Sequence, residues 1–362
     1  MNRIWVVKLG THVIAGEQGI DGRVLGQLAE QVRACHEAGI GVVLVSSGAV
    51  RAGLESLPQP AVVKDEISRR QLLSALGQVA LMQAWQRHFK RRGLHCAQVL
   101  ATKADFRDRR HYLNMQNCLR ALLSESVVPI VNENDVVAVS ELMFTDNDEL
   151  AGMLAAMLDA DKLVLLSNIR HVLRTVGDEV QPIHEWQAAD QALVQPQGAG
   201  KSQFGRGGIH TKLRVALRSA ALGIEVWIGD GRTRGILQQI AAGQADATRF
   251  PAAREHTAVK RWVANSAGYE KAVIVVNDGA RAVLSQPGRL VSLLPVGVSR
   301  FEGDFAKGDI VRIEDEQGRA LGLGKAQYGA IALRRRLGKQ QQKALIHYDY
   351  LYIDHNTSPA TT

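Results

Sequence analysis

Two lysines and a carboxylate, Lys8, Lys212 and Asp148, stand where apolar runs meet glycines or acids. They belong to five short motifs in the first two thirds of the chain: VVKLGT (6–11), SSGAV (46–50), NENDVV (132–137), FTDNDEL (144–150) and GRGGIHTKL (205–213). Any one of these is an ordinary turn or helix cap. Together they describe a site that holds a polyphosphate between two cations, with a carboxylate substrate beside it.

The spacing gives each motif its chemistry. Lys8 ends an apolar strand and is followed by Gly10, whose small size lets backbone N–H groups approach a phosphate. Ser46, Ser47 and Gly48 end a second strand in the same way, where hydroxyls bind an anion or cap a helix. Asn132, Glu133, Asn134 and Asp135 follow a third. Four polar side chains at a strand end are costly in a core and natural around a polar ligand. Asp146 or Asn147 caps the helix that FTDNDEL opens, which leaves a carboxylate to orient lysines or position substrate. Gly205, Gly207 and Gly208 precede Thr211 and Lys212 at another helix start, a recipe for a phosphate clamp. The segment GAGKS (198–202) imitates the end of a P-loop, but Gln195 stands where glycine is needed and no strand precedes it, so Lys201 is a secondary candidate. No zinc cysteine set, H-E-x-x-H or G-x-S-x-G occurs, and no metal ligand is assigned.

These motifs need a scaffold that brings strand ends together. Strand-like runs at 4–9, 41–45, 96–100, 127–131, 162–166 and 225–228 alternate with helical patterns at 24–38, 66–92, 110–125, 147–159 and 211–222. A break in the long helix is expected near Gly77. Continuous apolar strands between helices predict a mainly parallel sheet covered on both faces, a three-layer αβα sandwich. In such sheets ligands gather beyond the carboxyl ends of the strands. Residues 246–257 read as a linker. Beyond it, turns at NDG, QPG, EGD, KGD and EQG punctuate strand candidates at 271–276, 310–313 and 344–353, giving a small, mostly β domain. The expected domains are 1–250 and 259–353.

The chain has 362 residues, 22% of them charged, and a formal net charge of +8. The excess is not one dense run. It suits anionic substrates at least as well as nucleic acid. No apolar run approaches the roughly 20 residues of a membrane span, and the first strand begins with no basic-then-apolar leader. Cys35, Cys96 and Cys118 lack metal or redox spacing, which suggests a reduced cytoplasm.

Taken in order, VVKLGT, SSGAV, RQLLSALGQ (70–78), RRHYLN, VPIVNENDVV, DNDEL and GGIHTKL resemble the amino acid kinase superfamily, and within it the two-domain bacterial glutamate 5-kinases. The similarity covers about residues 3–353. The stretch from KRWV (260–263) through NDGA (277–280) to LLPVGV and FAKGDIVRI resembles a PUA domain, a barrel also found in RNA-modifying enzymes. The resemblance implies ATP-dependent phosphorylation of the L-glutamate side chain, with Mg2+, on the path to proline. It implies that Lys8 and Lys212 hold ATP phosphates and that Asp148 orients them. Ser47, Gly48, Asp135 and Asn147 would hold glutamate. Gly10 and Gly48 would donate N–H groups near the transferred phosphoryl, and Ser167, Asn168, Gly207 and Gly208 would line the nucleotide. It further implies a homo-oligomer, dimer or tetramer, with RNA as a candidate partner of the PUA-like domain.

The chain departs from the family's pattern after the strand at 162–166. Ser167-Asn168 replaces a Thr-Asp pair, and the segment from Ile169 to Arg174 lacks the family's proline-containing loop. One negative charge beside the nucleotide is lost. Arg206 adds a cation where a small residue is usual. The alternatives to a glutamate 5-kinase are a related kinase with another carboxylate substrate, or a non-catalytic regulatory or RNA-binding homologue.

Overall fold

The computed structural model describes residues 3–16, 19–57, 62–137, 146–194, 208–253, 263, 266, 270–286 and 291–353. Two units divide at Glu255/His256. In the first, runs of Val, Ile and Leu form β1 (Arg3–Leu9), β2 (Ile40–Ser46), β3 (His95–Ala101), β4 (Val127–Glu133) and β5 (Lys162–Ser167). A hairpin follows, β6 (Val172–Val176) and β7 (Glu179–Ile183), then β8 (Glu225–Asp230) and β9 (Thr248–Phe250).

Seven of these make one sheet in the order β9-β8-β5-β1-β2-β4-β3. Only the edge strand β9 is antiparallel. All the parallel strands therefore present their carboxyl ends at one edge. β1 lies between β2 and β5, where the chain winds off in both directions, so a crevice opens beyond its end.

Helices α1 (Gly22–Glu37), α2 (Ala49–Ser56), α3 (Glu66–Lys90), α4 (Arg109–Ser124), α5 (Asn147–Leu158), α6 (Ile209–Ala221) and α7 (Ile236–Ala241) cover the sheet. The period of two in β1 decides what each side chain meets. Trp5, Val7 and Leu9 pack with Leu25, Leu28 and Val32 of α1 and with Leu81, Trp85 and Phe89 of α3. Lys8 lies in the alternate set with Ile4 and Val6, on the face covered by α5. Helix α5 is apolar around its whole circumference, and Leu150 through Leu158 are all buried. That pattern belongs to a helix enclosed by neighbours rather than one on a surface. Such a helix carries Asp148 inward.

The expected break near Gly77 does not occur; α3 runs unbroken for 25 residues. Gly77 instead marks a close crossing with α2. A Cβ there would lie 1.7 Å from the Ala49 carbonyl oxygen, and one at Gly53 would lie 1.9 Å from that of Leu73. The stretch 246–257, which reads as a linker in the sequence, begins inside the sheet, because Thr248–Phe250 pairs with β8. Thr248 is fully buried. Its hydroxyl donates to the Ile183 carbonyl and accepts from the Val172 N–H, tying the hairpin to the sheet edge.

In the second unit, β10 (Ala272–Val276), β11 (Val298–Gly303), β12 (Ile310–Glu314), β13 (Ala320–Lys325) and β14 (Leu351–Ile353) form a sheet in the order β11-β10-β12-β13-β14. The β10–β12 pair is parallel and the others antiparallel. Helix α8 (Asp278–Leu284) is capped by the Asn277 side chain. Ile274, Val276, Val311, Ile313, Leu333, Leu345 and Ile346 form the core. The strand expected over 344–353 is a strand only at Leu351–Ile353. Ile346 makes an isolated bridge to Leu293, and Tyr348–Tyr350 turns as a short 3-10 helix. Among the described residues, no helix is long and apolar enough to cross a membrane.

Candidate active site

At the end of β1, Lys8 reaches across to the first turn of α5. Its Nζ lies 2.7 Å from Asp148 Oδ1. From the first turn of α6, Lys212 Nζ donates to Asp148 Oδ2 at 2.8 Å. Asp148 is completely buried, and both lysine side chains are about 5% exposed. Three segments separated by 140 and 64 residues in sequence thus meet at one carboxylate.

The electrostatics are those of a shared charge. Burial pushes the Asp148 carboxyl up, but the two ammonium groups outweigh it and hold it below the ordinary carboxylate range. Burial pushes the Lys8 ammonium down from its usual value. Asp148 opposes that shift, and the neighbouring Lys212 adds to it. Asp148 bridges both cations, and a second carboxylate, Asp146, lies within the field of each.

Asp146 caps α5: its Oδ1 accepts from the N–H groups of Asp148 and Glu149. Its Oδ2 is buried without a hydrogen-bond partner. Burial, and next the negative charge of Asp148, raise its carboxyl from 3.8 to about 6, against the pull of both lysines.

A second network lies at the ends of β2 and β4. The Asn147 amide donates to Ser47 Oγ and to Asn132 Oδ1, each at 2.9 Å. Gly48 carries the left-handed φ of +99° that lets α2 start immediately after β2. Asp135 is buried, and both of its oxygens are held. Oδ1 accepts from Arg70 Nε and Nη2 at 3.0 and 2.6 Å, and Oδ2 accepts from Ser74 Oγ at 3.0 Å. Arg70 also lies 3.5 Å from Glu133.

The structure therefore brings Lys8, Lys212 and Asp148 together, and Ser47 joins Asn147. The Gly10 N–H is spent on the Leu166 carbonyl at 3.0 Å. It is not the free donor that the resemblance implies, and Gly10 contributes room beside Lys8 Nζ and Ser167 instead. Ser167 is buried, and its hydroxyl accepts from the Ile169 N–H, whereas Asn168 is exposed. Gly208 is the N-cap residue of α6, with open space where a side chain would be. Thr145, Lys201, Gly205, Arg206 and Gly207 lie outside the described residues. Arg70 and Ser74 were not assigned from sequence. Arg70 reads there as one of two adjacent arginines on a helix, and its distance of 65 residues from Asp135 carries no local signal.

Comparison with known proteins agrees with this geometry. Residues 3–230 match the amino acid kinase family model, and residues 272–348 match the PUA domain. The glutamate 5-kinase of Chlorobaculum tepidum is 45% identical over 349 residues, 96% of each chain. That of Bacteroides thetaiotaomicron is 40% identical over 96% of this chain and 98% of its own. Among solved structures, the carbamate kinase of Giardia lamblia bound to AMP-PNP aligns with a TM-score of 0.51 at 15% identity, over 69% of this chain and 99% of that one, a likeness of fold. With two lysines and an aspartate converging at the crevice of such a sheet, and relatives this similar over nearly the whole length, the chain belongs to the amino acid kinase family, among its glutamate 5-kinases.

Proposed function

We propose that this chain transfers the γ-phosphoryl group of ATP to the side-chain carboxylate of L-glutamate, forming γ-glutamyl phosphate and ADP at the start of proline synthesis. The Lys8–Asp148–Lys212 cluster is the observation that carries the reading. A buried pair of lysines bridged by one carboxylate is a costly arrangement in a core and a natural one for holding a polyphosphate. The proposed catalytic residues are these three.

No general base is required. A glutamate side chain ionises near pH 4.3, so its oxygen is already a nucleophile at neutral pH. That oxygen attacks the γ-phosphorus, the bond to the β–γ bridging oxygen breaks, and its electron pair leaves with ADP. The protein must hold two anions in line and offset charge on the moving phosphoryl. Lys8 and Lys212 supply the charge, and Asp148 fixes their positions. Ser47, Gly48, Asn147 and Asp135 hold glutamate, with Asp135 suited to its ammonium and Arg70 to its α-carboxylate. Gly10, Ser167, Asn168, Gly207 and Gly208 line the nucleotide. Asp146 suits Mg2+, because its buried, unpartnered Oδ2 is the hard oxygen ligand that ion prefers. Bound there, Mg2+ would neutralise phosphate charge.

The domains proposed are a kinase domain over 1–250 and a PUA-like domain over 259–353, in a cytoplasmic homo-oligomer. Leu72, Leu76 and Val79 line one exposed face of α3 at helical spacing, which supports self-association. In the second unit, Lys271, Lys307, Arg335 and Arg336 outnumber Asp304 and Asp309 along an open cleft of about 800 Å³. A basic cleft supports RNA as a partner, and such binding would weaken steeply with salt.

The test is turnover with ATP, Mg2+ and L-glutamate, with the acyl phosphate trapped by hydroxylamine, beside a Lys212→Ala control. Hydroxamate should form only with glutamate present and disappear in the control. A folded protein that forms none, or forms it with other carboxylates only, would refute the assignment.

A further inference from the structure

The root of the β6–β7 hairpin holds a second cluster outside the candidate active site. His171 immediately precedes β6, His184 immediately follows β7, and Asp246 lies in the turn before β9. One donor atom from each lies within 4.8 Å of the other two. The imidazoles meet edge to face with centroids 4.7 Å apart.

Their geometry is not that of a plain hydrogen-bonded pair. His171 Nε2 is 2.9 Å from Asp246 Oδ1 and the His171 side chain is only 8% exposed, yet the contact is poorly aligned for a hydrogen bond. Donors that share one ion do the same: they lie near each other and aim at a common point between them. Ligands of a tetrahedral zinc ion at about 2.0–2.2 Å stand roughly 3.3–3.5 Å apart, within reach of this arrangement. Arg170 Nε lies 3.2 Å from the other carboxylate oxygen, Oδ2, where it orients Asp246 and leaves Oδ1 for the ion.

We propose that His171, His184 and Asp246 form a site for a late first-row divalent cation of the zinc class. Two imidazoles and one carboxylate select such an ion over Mg2+ or Ca2+, which prefer all-oxygen sets. The site clasps three segments: the chain entering the hairpin, the chain leaving it, and the turn before the edge strand. Its first ligand lies four residues beyond Ser167, so the ion would stiffen the segment that replaces the family's loop. Sequence spacing hides the cluster, since the ligands are 13 and 62 residues apart and join only when β9 pairs with β8.

The test is zinc binding by the full chain after chelator treatment, read as metal per chain at equilibrium, together with the visible spectrum of the cobalt(II)-loaded protein. One ion per chain is expected, with cobalt bands of four- or five-coordinate intensity and a higher thermal midpoint in zinc. His184→Ala and Asp246→Asn change exposed residues and should each weaken binding at least ten-fold and abolish the midpoint shift. Cys118→Ser, which removes an exposed thiol, should keep both. Sub-stoichiometric binding, or binding that survives His184→Ala and Asp246→Asn, would overturn the site. So would binding lost with Cys118→Ser.

Discussion

Replacing Asp148 with Asn keeps the side chain's shape and removes the charge between Lys8 and Lys212. Two unit charges about 4 Å apart attract by roughly 4 kcal/mol at an effective dielectric of about 20. Asp148 makes two such contacts, at 2.7 and 2.8 Å, and is itself fully buried. Its own desolvation offsets part of that attraction, so the net cost of stranding the lysines is about 3–5 kcal/mol. At about 2–4 °C per kcal/mol for a unit of this size, the thermal midpoint should fall by roughly 6–20 °C. The pH dependence gives an independent check. Asp148 is held below the ordinary range, so the stability it contributes is present above about pH 4 and is lost as pH falls through its lowered value. Lys8 is depressed too, so its stability contribution is complete above about 10.5 and lost as pH falls through its folded value. Without Asp148 that depression deepens, and the Asp148→Asn midpoint should climb more steeply than wild type as pH rises toward about 10.5. A non-hydrolysable ATP analogue supplies the missing anion and should stabilise the variant more than wild type. Turnover should drop by about 100-fold or more, because the cations are no longer held in place. Scanning calorimetry with and without analogue measures all but the last. A midpoint within about 2 °C of wild type at neutral pH, with parallel pH slopes, would refute the shared-charge account.

Asp146→Asn preserves the cap of α5, since Asn is as good an N-cap, but abolishes an ionisation near about 6. The raised carboxyl favours the folded state when protonated, and that contribution is lost as pH rises through about 6, so the variant should be the more stable above this value. Wild-type kcat/KM should fall about ten-fold per pH unit below about 6, whereas the variant's should be lower and flat; a flat wild-type profile would remove Asp146 from the mechanism. Arg70→Ala leaves Asp135 with Ser74 alone, and losing charged hydrogen bonds of about 1.5–3 kcal/mol should raise the glutamate KM roughly ten- to one-hundred-fold with less effect on kcat. Arg70→Lys should recover part of that loss, and an unchanged KM for Arg70→Ala would show that the pair only supports the fold. Gly77→Ala drives a methyl group into a backbone oxygen and should cost about 3 kcal/mol or more, visible as a lower urea midpoint; a neutral result would mean that α2 and α3 separate freely.

Much of the site was legible because each half of a motif signals itself locally. An apolar run announces β1, and Lys8 at its end stands out because lysine has no place in a core. Glycines and acids at 146–149 and 208 announce helix starts. What brings Lys8, Asp148 and Lys212 to contact is sheet order, and the resemblance carried that rather than spacing. Arg70 was unreadable for the same reason, as its partner lies on another strand end. The hairpin β6–β7 escaped because its outward side chains are polar and mixed, with Val176 and Val180 exposed. Gly77 was misread in an instructive way. Glycine in a helix lowers helical propensity, which suggests a break, but the same missing Cβ permits a crossing that outweighs the cost.

That crossing limits how this protein can be repaired as well as how it can be damaged. The atoms that a side chain at Gly77 or Gly53 would strike are main-chain atoms, carried by every residue type alike. A clash between two side chains can be relieved by shrinking the partner. A clash with a carbonyl cannot, because no substitution at Ala49 or Leu73 removes the oxygen. Second-site suppressors of Gly77→Ala should therefore be absent from the contact itself and arise only where they shift a whole helix. Since Gly48 caps α2 and α3 carries Arg70 and Ser74, any such shift would also change the spacing between the two sides of the proposed glutamate pocket.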